Sequence, residues 1–177
     1  SELIMVTGFS GIGKSSLVRE IHLSIIGKKG FFISGKFDPF ERDVPYSAVA
    51  RAFQELCRHL LSESREHLNI WKTKLSEALG PNGQIITDLI PMTELILGEQ
   101  PHLQELGPTE SQNRFNIVFR DFVNVFTDES HPLVLFADDL QWADSSSLNL
   151  IRLLMTDPDM KYLFIIGAYR ENEIDEG

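Results

Sequence analysis

The stretch Gly8-Phe9-Ser10-Gly11-Ile12-Gly13-Lys14-Ser15 decides how this chain is read, because it meets the pattern G-x-x-x-x-G-K-[ST] at every required position. Before it stands Leu3 to Thr7, a short apolar run with β-branched residues. After it, Leu17, Val18, Ile21 and Ile25 keep the spacing of one helix face. Strand, loop and helix thus follow in the order a phosphate cradle needs. Glycines let such a loop curl until successive amides point inward, and the helix adds the positive end of its dipole. Gly8, Gly11 and Gly13 supply the curl, a side chain at Gly11 or Gly13 would obstruct the wrap, and Phe9, Ser10 and Ile12 complete the loop. Lys14 is placed to reach the β- and γ-phosphates, the Ser15 hydroxyl to ligate magnesium, and Ser16 to sit near the α-phosphate. A turn that needs glycine for backbone geometry alone would account for the glycines but not for Lys14-Ser15.

A second element supports the first. Leu133-Val134-Leu135-Phe136-Ala137-Asp138-Asp139 is an apolar run that delivers two carboxylates at the C-terminal end of an expected strand, where open α/β sheets bind ligands. This is a Walker B pattern. Asp138 is expected to hold magnesium, usually through a water, and Asp139 to orient the attacking water or accept its proton. In isolation, an Asp pair after a strand reads by default as a solvated loop or a helix cap, and the P-loop upstream outweighs that default. Arg170 ends a later apolar run, Tyr162 to Ala168, and in a parallel sheet that end faces the same crevice. It reads either as a sensor of the γ-phosphate or as a surface arginine paired with Glu171 or Glu173. Gln141 and Trp142 follow the acidic pair, and a core or loop-anchoring role for Trp142 is expected over adenine stacking.

Between these elements, Phe31 to Ser34 reads as a second strand, Asp38 to Pro45 as a polar connection, and Tyr46 to Leu61 as a helix with one apolar face. Residues 62–108 hold helical fragments, Ile70 to Leu79 and Ile85 to Leu97, interrupted by Gly80, Pro81, Gly83 and Pro91. They read as a small helical insertion. Thr109-Glu110-Ser111-Gln112 has the spacing of a capping box, predicting a helix that begins at Thr109 and runs to about Phe126. Asp144 is placed to cap a helix from Ser145 to Met155. Strands alternating with helices imply an α/β protein with a parallel sheet and helices on both faces, a three-layer α/β/α arrangement.

Composition sets the limits. A chain of 177 residues, 42% of them hydrophobic, suffices for one domain with a sizeable core. The 26 acidic residues outnumber the 16 basic ones, a net charge of −10 that disfavours a nucleic-acid partner. Cys57, the single cysteine, stands in an apolar helical pattern and reads as a buried thiol, which fits a reducing compartment. No window approaches the length of a membrane span and the N-terminus lacks a signal peptide, so a cytoplasmic protein is expected. The five histidines are scattered without metal-ligand spacing.

Three stretches together resemble a known family: Val6 to Ser16, then Phe32-Ile33-Ser34-Gly35-Lys36-Phe37-Asp38, then Phe136-Ala137-Asp138-Asp139-Leu140-Gln141-Trp142-Ala143-Asp144. They resemble the AAA-type (AAA_16-like) ATPase domain of large multidomain bacterial signalling proteins, which is similar to the STAND class of signal-transduction ATPases. The likeness extends to Gly80-Pro81-Asn82-Gly83-Gln84 and to Pro108 to Phe115. It implies a P-loop core of the additional-strand type spanning 1–177, with 62–108 inserted and a C-terminal lid lying beyond the chain. It also implies ATP and Mg2+ as ligands, with Lys14, Asp139 and Arg170 in catalytic roles. The partners implied are neighbouring serine/threonine kinase-like, GAF and histidine kinase domains and, with nucleotide, further copies of the same protein. Many relatives in the wider AAA class carry Glu where Asp139 stands, and the shorter acid implies slow turnover. Three functions fit these residues: an ATP-hydrolysing regulatory module, a nucleotide switch that hardly hydrolyses, and a scaffold between kinase modules.

Overall fold

A computed structural model of the chain describes residues 1–7, 20, 25 and 30–170. Four parallel strands form one sheet: β1 (Glu2–Thr7), β2 (Phe31–Lys36), β3 (Leu133–Asp138) and β4 (Leu163–Tyr169), in the order β1-β4-β3-β2. The α/β fold is the one the sequence predicts, and β4 is the additional strand, interposed between β1 and β3. The apolar run of β3 follows from its place: Leu133, Val134, Leu135 and Ala137 are buried, as a strand flanked on both sides by others requires. Register brings the strand ends level. Lys36 lies opposite Asp138, Ala137 opposite Gly167, and Thr7 opposite Tyr169.

The chain divides into two compact units, Ser1–Ala52 with Thr127–Gly177, and Phe53–Phe126. In the first, β2 leads through a short turn into α1 (Ser47–Leu61). The Asp38 carboxylate accepts the Phe40 N–H at 2.9 Å and starts the single turn Pro39–Glu41, with Pro39 fixing φ for the first position. Gly35 allows β2 to approach α1, for a Cβ there would run into the Ala48 carbonyl. Under this end of the sheet, Phe37, Ala48 and Ala137 form a buried cluster on which Leu140, Trp142 and Ala143 pack.

The second unit holds the rest of α1, then α2 (Arg65–Leu79), α3 (Gly83–Leu89), α4 (Glu94–Leu97) and α5 (Pro108–Asn124). Its core is aromatic: Phe53 meets Phe119 edge-on at 5.6 Å and Phe122 at 5.2 Å, and Trp71 lies 5.6 Å from Phe126. The interruption expected at Pro91 is a separate turn, Pro91–Thr93, between α3 and α4. One expectation changes here. The capping box at Thr109 does not form. Gly107, extended at φ −60° and ψ 161°, is the N-cap, and Pro108, whose ring presets the helical φ, starts α5 one residue before Thr109. In the first unit α6 (Ser145–Thr156) begins as predicted: Asp144 accepts the Ser147 N–H at 2.8 Å and the Ser147 hydroxyl at 2.6 Å.

Two predictions follow from this packing. Gly35→Ala should lower stability by about 1–3 kcal/mol in urea unfolding, since the obstructing atom is backbone and cannot swing aside. Cys57 is fully buried, and loss of hydration pushes its thiol pKa up to about 12. At pH 8 the native chain should therefore resist thiol reagents, with complete labelling once urea unfolds it; fast labelling without urea would contradict that burial.

Candidate functional site

The C-terminal ends of the four strands share one edge of the sheet, and the described site residues gather there. Gly8, Phe9, Ser10, Gly11, Ile12, Gly13, Lys14, Ser15 and Ser16 lie outside the described residues, as does most of the helix expected after them. Glu171 and Glu173, the surface partners considered for Arg170, also lie outside. Thr7, the last residue of β1, is at the edge by its pairing with Tyr169.

Asp138 ends β3 half-buried. Its Oδ1 accepts the Asp139 N–H at 3.0 Å, and among the described residues nothing donates to its Oδ2. Asp139 is buried, with 8% of its side chain exposed, and its backbone is left-handed at φ 54°, ψ 46°. That conformation turns the carboxylate back across the strand ends, and Asp is among the few residues that adopt it readily. A charge so placed must be paired. Lys36 at the end of β2 puts its Nζ 3.4 Å from Oδ2, Arg170 after β4 puts its Nε 3.2 Å from Oδ1, and the Gln141 amide donates to Oδ1 at 3.3 Å. Arg170 pairs at this end of the sheet with Asp139.

The loop that follows is held from the opposite side. Arg42, in the turn after β2, donates to the Gln141 carbonyl at 2.8 Å and lies over the Trp142 ring at 4.7 Å. Trp142 is the loop anchor predicted, with Arg42 as its unpredicted partner. Arg51 of α1 donates to the Lys36 carbonyl at 2.8 Å and pairs with Glu41. That guanidinium, with the Ser47 hydroxyl second, keeps the Glu41 carboxyl below its ordinary pKa. Lys36, Gln141 and Arg42 are site residues that motif reading missed. Lys36 lies in a quoted stretch, two residues past Ser34, where the second strand was expected to end; the strand runs on to Lys36 and sets it level with Asp138.

Chemically, the described residues at this edge offer one carboxylate with an oxygen to which none of them donates, and one carboxylate held between an ammonium and a guanidinium. Residues 1–166 match the family described as the AAA ATPase domain, and the chain belongs to that family. Among curated relatives, the hybrid signal transduction histidine kinase G of Dictyostelium discoideum is 46% identical over 154 residues, which are 87% of this chain and 4% of that protein. The histidine protein kinase 1 of Candida albicans (strain SC5314 / ATCC MYA-2876) is 24% identical over 164 residues, 85% of this chain and 7% of that one. The chain therefore spans a small part of either relative. Both relatives come from eukaryotes, and of the setting expected from the resemblance the comparisons carry the coarser part: an AAA ATPase domain with relatives among histidine kinases. No helix among the described residues is long and apolar enough to cross a membrane.

Removing one partner from a buried charge costs more than removing an exposed one. Arg170→Ala should thus destabilise the chain by about 1–3 kcal/mol. Lys36→Ala should cost less, below about 1 kcal/mol, because 68% of the lysine side chain is exposed. Urea midpoints for the two variants, measured side by side, check the ranking.

Proposed function

We propose that this chain is an ATP-binding and ATP-hydrolysing regulatory module of a larger signal-transduction protein. One observation carries the reading: Thr7, which the sequence Gly8 to Ser15 follows directly, shares a sheet edge with Asp138, Asp139 and Arg170. That is the placement a P-loop and a Walker B strand need in order to act on one triphosphate. The loop amides and Lys14 would bind the phosphates. Asp139 would orient the attacking water, and Arg170 would sense the γ-phosphate. The residues present fit magnesium: Asp138 has a carboxylate oxygen to which no described residue donates, a hard donor of the kind that ion takes, and Ser15 would add its hydroxyl. When bound, the ion supplies charge neutralisation to the phosphate oxygens.

In the same proposal 1–177 is one P-loop domain and 62–108 is a helical insertion in it. The histidine kinases among its relatives support neighbouring kinase domains as its partners; sensor domains and nucleotide-dependent self-association are part of the same proposal. Nucleic acid is not a partner on this reading, given the net charge of −10.

A second reading, a switch that binds ATP and scarcely turns it over, is favoured by one fact. Both oxygens of Asp139 are engaged by cations, so a water must compete for its lone pairs. Calorimetric titration with Mg-ATP, run beside phosphate release, tests both. Lys14→Ala should abolish measurable binding and release, whereas binding retained in that variant would remove the P-loop from the site. Binding without release in the unmodified chain would leave the switch.

A further inference from the structure

Three hydrogen bonds of Gln141 to described residues are assigned by no motif reading. Its side-chain N–H donates to Asp139 Oδ1 at 3.3 Å, its side-chain oxygen accepts the Arg170 main-chain N–H at 3.3 Å, and its own carbonyl accepts from Arg42 at 2.8 Å. The Arg170 side chain meanwhile reaches the same Asp139 oxygen, its Nε at 3.2 Å. The contacts close a ring from Asp139 through the Gln141 amide to the Arg170 main chain, and back through the guanidinium to Asp139. A closed ring fixes what an open chain leaves loose: the distance and angle between the carboxylate after β3 and the arginine after β4.

Only some side chains can fill that place. The amide carries a donor and an acceptor on one planar group, at the spacing that the Asp139 oxygen and the Arg170 N–H require. A carboxylate there would accept from Arg170 but would set like charge against Asp139, and a thioether would do neither. A neutral imidazole keeps one donor and one acceptor on its ring.

We infer that Gln141 is a positioning residue of the ATPase site, holding Asp139 and Arg170 at the mutual geometry that γ-phosphate chemistry needs without touching the phosphate. The assignment rests on the Mg-ATP reading proposed above. Losing such support leaves binding in place and misaligns the reacting groups, so the effect falls on turnover.

The test is steady-state hydrolysis by the 177-residue chain and its variants, with calorimetric affinities for Mg-ATP and Mg-ADP and urea midpoints taken alongside. Gln141→Glu and Gln141→Met should lower kcat about 10–100-fold, with KM and the Mg-ADP affinity changed less than about threefold. The preference for Mg-ATP over Mg-ADP should fall, because Arg170 is no longer aimed. Gln141→His should recover much of the loss while Gln141→Glu, closer in shape, does not. Equal defects in all three variants that track their urea midpoints would mean a structural role only and overturn the assignment, as would wild-type turnover in Gln141→Glu. An unmodified chain that binds no ATP would overturn the proposed function and this assignment together. Binding without turnover would overturn hydrolysis and with it Gln141's part in it.

Discussion

A carboxylate taken out of water is costly to keep charged, and this protein keeps one at the C-terminal end of the inner strand β3. Asp139 is 6% exposed, and the residues that satisfy it come from the ends of β2 and β4 and from the loop after β3. Those ends meet there because the strands are parallel and in register. Had the sheet slipped by one residue, Lys36 and Arg170 would have moved away from the acid, and the burial would have gone uncompensated. The register of the sheet and the pairing of Asp139 therefore support one another, and the site inherits its geometry from both.

Around that acid the supporting contacts run outward rather than deeper. Glu41 holds Arg51, Arg51 holds the Lys36 carbonyl, and Lys36 reaches Asp139; from the other side Arg42 holds the loop that carries Gln141 and Trp142. Beneath them the small side chains Ala48 and Ala137 and the bare Gly35 bring helix and strand close, so the polar layer rests on a tight apolar one. Charged residues that would look like ordinary surface groups in a composition count act here as spacers between backbone segments.

How much of this the sequence disclosed depended on how local the signal was. The run Leu133 to Asp138 was legible because a strand buried on both faces leaves no polar position to disguise it, and the Asp144 cap because donor and acceptor lie three residues apart. The start of α5 was misread although it too is local: Pro108 and Gly107 outweigh the spacing of Thr109 and Gln112, since a ring-fixed φ nucleates the first turn directly. Lys36 and Asp139 are separated by about a hundred positions, and only the sheet order brings them together. The same holds for Gln141 and Arg170, whose hydrogen bond crosses from one strand's exit to the next. Pattern reading sees one segment at a time, and pairings between segments were beyond it.

The left-handed backbone of Asp139 also bears on a comparison between sequences. The resemblance implies Glu at the corresponding place in many of the wider AAA class, and side-chain length alone suggests an easy exchange. Here φ is 54°, a conformation that Asp enters more readily than Glu, and the carboxylate already reaches three donors from that position. Lengthening the side chain by one methylene would ask for a new path of the main chain and for new places for Lys36 and Gln141 at once. The identity of this acid is thus a property of the loop's shape, and exchanging it means reshaping the loop and its three contacts together.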